Sequence, residues 1–231
     1  MKKYVLLFLV ISAFSCSEKP KDLTVKTNIK GLKKGVVYLQ RVIDTTMVTV
    51  DSVIVNGESQ FELYSELEEP DLFYLLLDKK SKIEDRISFF TDKGTVEINS
   101  TVKYFVADAE IKASKHQELL EEYQKLMDRL KNRNLDLIKE SFEAQKNGDT
   151  ALFVKIQKQQ DNLIKNRYFQ TVNFALNNPD SEISPYLALS EIYDVNTKLL
   201  DTIYTSLTPK IKASKYGKQL EDYITERKND K

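Results

Sequence analysis

The spacing of apolar residues divides the chain into three stretches. From Tyr4 to Phe14 every residue is apolar except Ser12. From Leu23 to about Ala113 apolar and polar residues alternate, and from Ser114 onward apolar residues recur every three or four positions. A period of two marks half-buried strands, and a period near 3.6 marks amphipathic helices.

In the alternating stretch, Leu23, Val25, Thr27 and Ile29 share one side of a strand, and Thr24, Lys26, Asn28 and Lys30 share the other. GLKKG at Gly31 to Gly35 turns the chain into VVYLQRVI, and Met47 to Val55 is again alternating and β-branched. Asn56-Gly57 predicts a hairpin, because both residues tolerate the positive φ of a tight turn, with Gln60 to Ser65 as the return strand. LFYLLLD is apolar on both faces and predicts a central strand. Arg86 to Phe90, Asp92-Lys93-Gly94 and Thr95 to Asn99 predict a further hairpin, and Ala109 to Lys112 a last short strand. Seven or eight short strands at this spacing predict an antiparallel sandwich or open barrel.

Ser114 and Gln117 have the spacing of a capping box at a helix start. Leu119, Tyr123, Leu126, Leu130, Leu137 and Phe142 then form an apolar stripe along a helix roughly 45 Å long. Its charge-rich outer face carries no second stripe. Gly148 suits the left-handed residue that ends this helix, and Asp149 the cap of the next. Phe153, Ile156, Leu163, Ile164, Val172 and Ala175 line the second helix, and a tight turn predicts an antiparallel hairpin. Pro179 stops the pair, and Ser184 caps a helix begun by Pro185. Shorter helices follow over Pro185 to Tyr193, Thr197 to Leu207 and Ser214 to Glu226. IKASK occurs at Ile111 and again at Ile211, each time before an amphipathic stretch, and is read as a shared helix start.

The first stretch carries the chemistry. Lys2 and Lys3 precede the apolar run, and small Ala13 and Ser15 precede Cys16, the layout of a secretory signal peptide. The run is about half the roughly 20 residues that span a bilayer. Cys16 is the one cysteine. It stands where a lipoprotein signal peptidase would cut and a diacylglycerol would be attached, and SEKPKD after it reads as a polar tether. With a single cysteine there is neither an internal disulfide nor a CxxC dithiol.

Composition narrows the rest. Lys plus Arg and Asp plus Glu each total 35, giving a net charge of zero and no electrostatic reason to expect nucleic acid. His116 is the one histidine, which excludes His-based zinc sites and leaves no Ser–His pairing in view. In the first turn of a helix it reads as a solvated surface residue. Glu66, Glu68, Glu69 and Asp71, and Glu118, Glu121 and Glu122, lack EF-hand spacing or a glycosidase context and read as solvated faces. The glycines form neither GxGxxG nor a P-loop. Tyr38, Tyr64, Phe73, Tyr74 and Phe89 read as core, the other reading being an exposed platform for a sugar or peptide.

The segment Leu23 to Lys112 resembles a domain family of unknown function found in bacterial lipoproteins, N-terminal to thioredoxin-like (AhpC/TSA, ResA/TlpA-type) modules. The resemblance lies in TVKTNIKGLKKGVVYLQRVID, in VTVDSVIVNGESQFELYSELEEPDLFYLLLD and in FFTDKGTVEI. NPDSEISPYLALSEIYD and ASKYGKQLEDYI resemble the linker before the thioredoxin-like module. That module would begin soon after Tyr223, and the chain ends at Lys231 without its CxxC. The resemblance therefore implies a fold and transfers no catalytic residue.

The expectation is an α+β protein. It has a leader over 1–15, a lipidated tether over 16–22, a β-sandwich over 23–113 and a helical region over 114–231, with the hairpin at 114–178 and short helices at 185–226. Its expected role is that of a non-enzymatic, lipid-anchored envelope lipoprotein acting as a binding or scaffold module. Catalytic, cofactor-binding and metal-ligating residues are expected to be none, and Cys16 is the lipidation site. The partner is the membrane through Cys16, at the periplasmic face of the outer membrane, since Ser17 is not the acidic residue that resembles an inner-membrane retention signal. Two alternatives stand beside this. One is an accessory subunit of a separately encoded thioredoxin-like oxidoreductase, with that protein as partner. The other is a glycan- or peptide-binding lipoprotein.

Overall fold

The computed structural model describes residues 21–78 and 80–229. The leader, Cys16 and all of the tether before Lys21 lie outside the described residues. Eight strands come first: β1 (Leu23–Lys30), β2 (Lys34–Ile43), β3 (Thr46–Asn56), β4 (Gln60–Ser65), β5 (Asp71–Leu76), β6 (Ile87–Thr91), β7 (Gly94–Thr101) and β8 (Glu110–Lys112). They form two four-stranded sheets, ordered β4-β1-β7-β8 and β3-β2-β5-β6. Leu23, Val25, Leu63 and Val96 from the first sheet and Leu39, Phe73, Leu75 and Phe89 from the second share one buried cluster. Burying a side chain of this size contributes about 1.5–3 kcal/mol, so this shared core holds the sheets together.

The pairing differs from the all-antiparallel expectation in one ladder. β1 runs parallel to β7, from Leu23↔Gly94 to Lys30↔Thr101. Neither predicted hairpin forms, because at both turns the chain crosses between sheets. β3 pairs with β2 while β4 pairs with β1, and β6 pairs with β5 while β7 pairs with β1. Gly57 has φ +101°, but Asp44 is the one non-glycine with positive φ among the described residues, so Asn56-Gly57 does not make a type I′ turn. The tight hairpin is instead β2–β3, where Ile43 faces Thr46 across Asp44-Thr45.

Side chains on the outer face of the first sheet specify the order adopted. Lys26 lies opposite Glu62 on one side and Glu97 on the other, and Glu97 lies opposite Lys112. This row of alternating charge favours the observed neighbours by a few tenths of a kcal/mol per pair, about 0.2–1.

Six helices follow: α1 (Lys115–Lys146), α2 (Thr150–Asn177), α3 (Ile183–Glu191), α4 (Thr197–Ser206), α5 (Pro209–Lys212) and α6 (Lys215–Asn229). Gly148 (φ +70°) ends α1, and Asp149 Oδ1 accepts the Leu152 N–H at 2.9 Å to cap α2. α1 and α2 pack through Leu137, Ala144 and Ile156. Val172, Ala188, Ile192, Leu200, Leu220 and Ile224 form a second helical core. A third cluster joins the halves: Leu72 and Phe90 of the second sheet pack on Leu120, Tyr123, Ile183 and Tyr216. The second sheet thus contributes both to the core it shares with the first sheet and to the contact with the helices. No helix among the described residues is long and apolar enough to cross a membrane.

Several local expectations are corrected. Ser114 makes no side-chain cap, and the Gln117 side chain turns to the sheet instead. In α1 Leu120 is buried in the place expected for Leu119, while Phe142, and Ile164 of α2, are exposed. α3 begins at Ile183, so Ser184 lies inside it, donating to the carbonyls of Ala175 and Asn178. The two IKASK copies differ: Ile111-Lys112 belongs to β8 and Ile211-Lys212 to α5. Ser214 accepts the Gly217 N–H, whereas Ser114 Oγ is buried without a partner.

Candidate functional site

The ionisable side chains of most interest lie along the seam between the second sheet and the helices. Asp71 opens β5 and is buried. Its two carboxylate oxygens each accept from Lys215 Nζ at 2.8 Å, and Oδ1 also accepts from the Tyr216 hydroxyl at 2.6 Å and its neighbour Leu72 N–H at 2.9 Å. Lys215 Nζ also donates to the Val42 carbonyl at 3.0 Å, and its backbone N–H to Glu69 Oε2 at 2.8 Å. Arg41 Nη1 lies 3.7 Å from Asp71 Oδ2. A buried carboxylate is tolerated when its lone pairs and charge are met in this way. Burial, with the adjacent Asp71 charge, pushes the Tyr216 phenol far up, so it stays protonated and donates.

The second cluster centres on His116 in the first turn of α1. Its Nε2 lies 2.6 Å from Glu182 Oε2, at the start of α3. Its Nδ1 lies 2.9 Å from Asp92 Oδ1, in the β6–β7 turn, as an ion pair off the line of a hydrogen bond. The side chain is 15% exposed and that of Glu182 is 3% exposed. His116 is therefore not the solvated residue expected from sequence. Burial alone pushes its pKa down, but the hydrogen bond to Glu182 and the two carboxylate charges reverse this and hold it above the ordinary value. For Glu182, burial pushes up and the bond and charge of His116 outweigh it, leaving its pKa lowered.

Phe90 lies between the clusters. Its ring stacks on His116 at 5.7 Å and meets Tyr186 and Tyr216 at 5.6 Å each. Gln117 Oε1 accepts the Phe90 N–H at 2.9 Å, and its Nε2 donates to Glu121. The start of α1 is thereby hydrogen-bonded to the edge of β6, and edge satisfaction, rather than helix capping, is the use found for Gln117.

The sequence-flagged groups divide accordingly. Asp71 and Glu69 bind α6, Glu121 holds Gln117, and Glu66, Glu68, Glu118 and Glu122 are exposed. Among the described residues no group of three or more His, Cys, Asp or Glu is placed to hold a metal ion. Phe73 and Phe89 are buried and stacked at 5.8 Å, and Tyr38, Tyr64 and Tyr74 are half-buried. A cleft of about 490 Å³ opens above Asp71 and Lys215, with Asp22, Asp44 and Glu66 on its walls. Lys215 and Tyr216 were not singled out from sequence. Their one available signal was Asp71, a charge opening an otherwise apolar strand, which shows the need for a partner but not its position 144 residues away.

Residues 23–120 match a family described as Domain of unknown function (DUF4369). The match takes in all eight strands and the first turns of α1, including His116, Gln117 and Leu120. No curated protein and no solved structure matches the chain.

Proposed function

We propose that the protein is a non-enzymatic, lipid-anchored lipoprotein of the cell envelope, a binding or scaffold module held through Cys16 at the periplasmic face of the outer membrane. In this reading the two sheets make a sandwich, and α1 and α2 an antiparallel hairpin, carried on the tether that ends at Asp22. The observation that carries it is the use made of the ionisable groups at the seam. Asp71, Lys215, His116 and Glu182 each bond to a group from a different part of the chain, which serves rigidity of a displayed body. Asp22, last residue of the tether, is itself pinned by the Leu67 N–H and Lys93. The leader pattern at Met1 to Cys16 supports export and lipid attachment.

Fractionation of cells expressing the full chain tests the reading. The wild type should partition with envelope membranes, and Cys16→Ala should leave them. Equal membrane retention of the variant, or a wild type found in the cytosol, would overturn the proposal.

A further inference from the structure

The distal parts of α1 and α2 have a thin core and an apolar surface. Leu137, Ala144 and Ile156 are buried between them, with Phe153 and Leu163 partly so. Outside lie Leu135 (55% exposed), Ile138 (36%), Phe142 (67%) and Ile164 (50%). Leu135, Ile138 and Phe142 stand at i, i+3 and i+7, so they form one ridge along α1. This is the second stripe that the sequence was not expected to carry. Beside it is a groove of about 570 Å³ whose walls include Met127, Leu130, Lys131, Asn134 and Ile164. Lys131 precedes Leu135 by one turn, so groove and ridge lie end to end on the same side of α1. The groove walls mix apolar Met127, Leu130 and Ile164 with charged Asp128, Lys131, Arg167 and Glu191, so the ridge of one copy meets apolar wall flanked by charge on the other, and the same surface serves both sides as a two-fold interface requires.

We infer that the chain forms a homodimer through this surface, with α1 packed antiparallel on α1 of a second copy. A two-fold axis level with Asn134 and Leu135 brings Ile138 of one copy to the level of Lys131 in the other, and Phe142 to the level of Met127. The ridge of each copy then enters the groove of its mate. Asp128 and Lys139 are eleven residues apart and therefore point the same way. The same axis brings Lys139 of one copy within a turn of Asp128 of the other, so the flanking charges also match. Ile164 shares the groove with Asn134, lies beside the axis and meets its own copy. The four exposed residues offer roughly 400 Å² of surface per copy, so a pair buries up to about 800 Å² through them, and the flanking polar rim must supply the rest of the roughly 1,000 Å² of a specific interface.

Symmetric crosslinking tests this on the full chain in a Cys16→Ser background, where an introduced cysteine is the sole thiol. Ile164→Cys should give a disulfide-linked species of twice the chain mass on mild oxidation. Asn162→Cys, two residues away on the opposite side of α2, should give at least tenfold less. Adding Phe142→Glu should reduce the Ile164→Cys product at least tenfold while leaving the circular dichroism spectrum unchanged. Equal crosslinking at 162 and 164, no crosslinking at 164, or a yield indifferent to Phe142→Glu in a folded chain would overturn the inference.

Discussion

Replacing His116 by alanine should weaken the protein more than the loss of a surface histidine. Glu182 is almost fully buried, and His116, whose pKa is held above the ordinary value, is its hydrogen-bond partner at 2.6 Å. Removing one member of a buried ion pair typically costs about 3–5 kcal/mol, because the remaining charge is left without compensation. Glu182 can escape part of this by taking up a proton, and Lys210 acts on it favourably, so a loss of about 3 kcal/mol is expected at about pH 5.5, between the two ordinary values, where His116 is protonated and Glu182 ionised. Urea denaturation at fixed pH would measure it through the midpoint, with the slope unchanged. The sign of the pH dependence follows from the two shifts. His116 has its folded pKa above the ordinary 6.5, so its contribution is complete below about pH 6.5 and is lost as pH rises through the folded value. Glu182 has its folded pKa below the ordinary 4.5, so its contribution is complete above about pH 4.5 and is lost as pH falls through that lower value. The link is therefore strongest between these limits. Wild-type stability should decline on the alkaline side with a slope of at most about 1.4 kcal/mol per pH unit. His116→Ala should lack that decline. A loss under 1 kcal/mol, or two pH profiles that run parallel, would refute the reasoning.

Asp71→Ala leaves Lys215 and Tyr216 facing a void and should cost about 3 kcal/mol in the same assay; Asp71→Asn, which still accepts from Tyr216, should cost less. Gly217→Ala would place Cβ 1.9 Å from the Ile211 carbonyl oxygen, so the α5–α6 junction must shift, and a drop of over 2 kcal/mol in unfolding free energy is expected. Gly148→Ala meets open space but keeps φ +70°, and should cost only about 1 kcal/mol by urea midpoint.

Strand and helix positions were legible because each depends on a local period. β1, β4 and the α1–α2 turn at Gly148-Asp149 stand where the pattern puts them. Partner choice was not, because it is decided by residues far apart in the chain. Asn56-Gly57 is compatible with a hairpin, yet the core shared by Leu63 and Val25 and the Lys26–Glu62 pairing draw β4 to β1 instead. The seam was hidden for the same reason. His116 in isolation has the sequence context of an exposed residue, and only the packing of α3 on α1 and the sheet brings Glu182 and Asp92 to it. Gln117 matched a capping box because the spacing is right, but an unpaired N–H on β6 competes for its side chain.

The claim that this body is displayed from a lipid anchor is tested most directly by metabolic labelling with a fatty-acid probe in cells making the wild type or Cys16→Ala. The account predicts label on the wild-type chain and none on the variant at equal protein level. Label persisting on Cys16→Ala, or absent from an exported wild type, would contradict it.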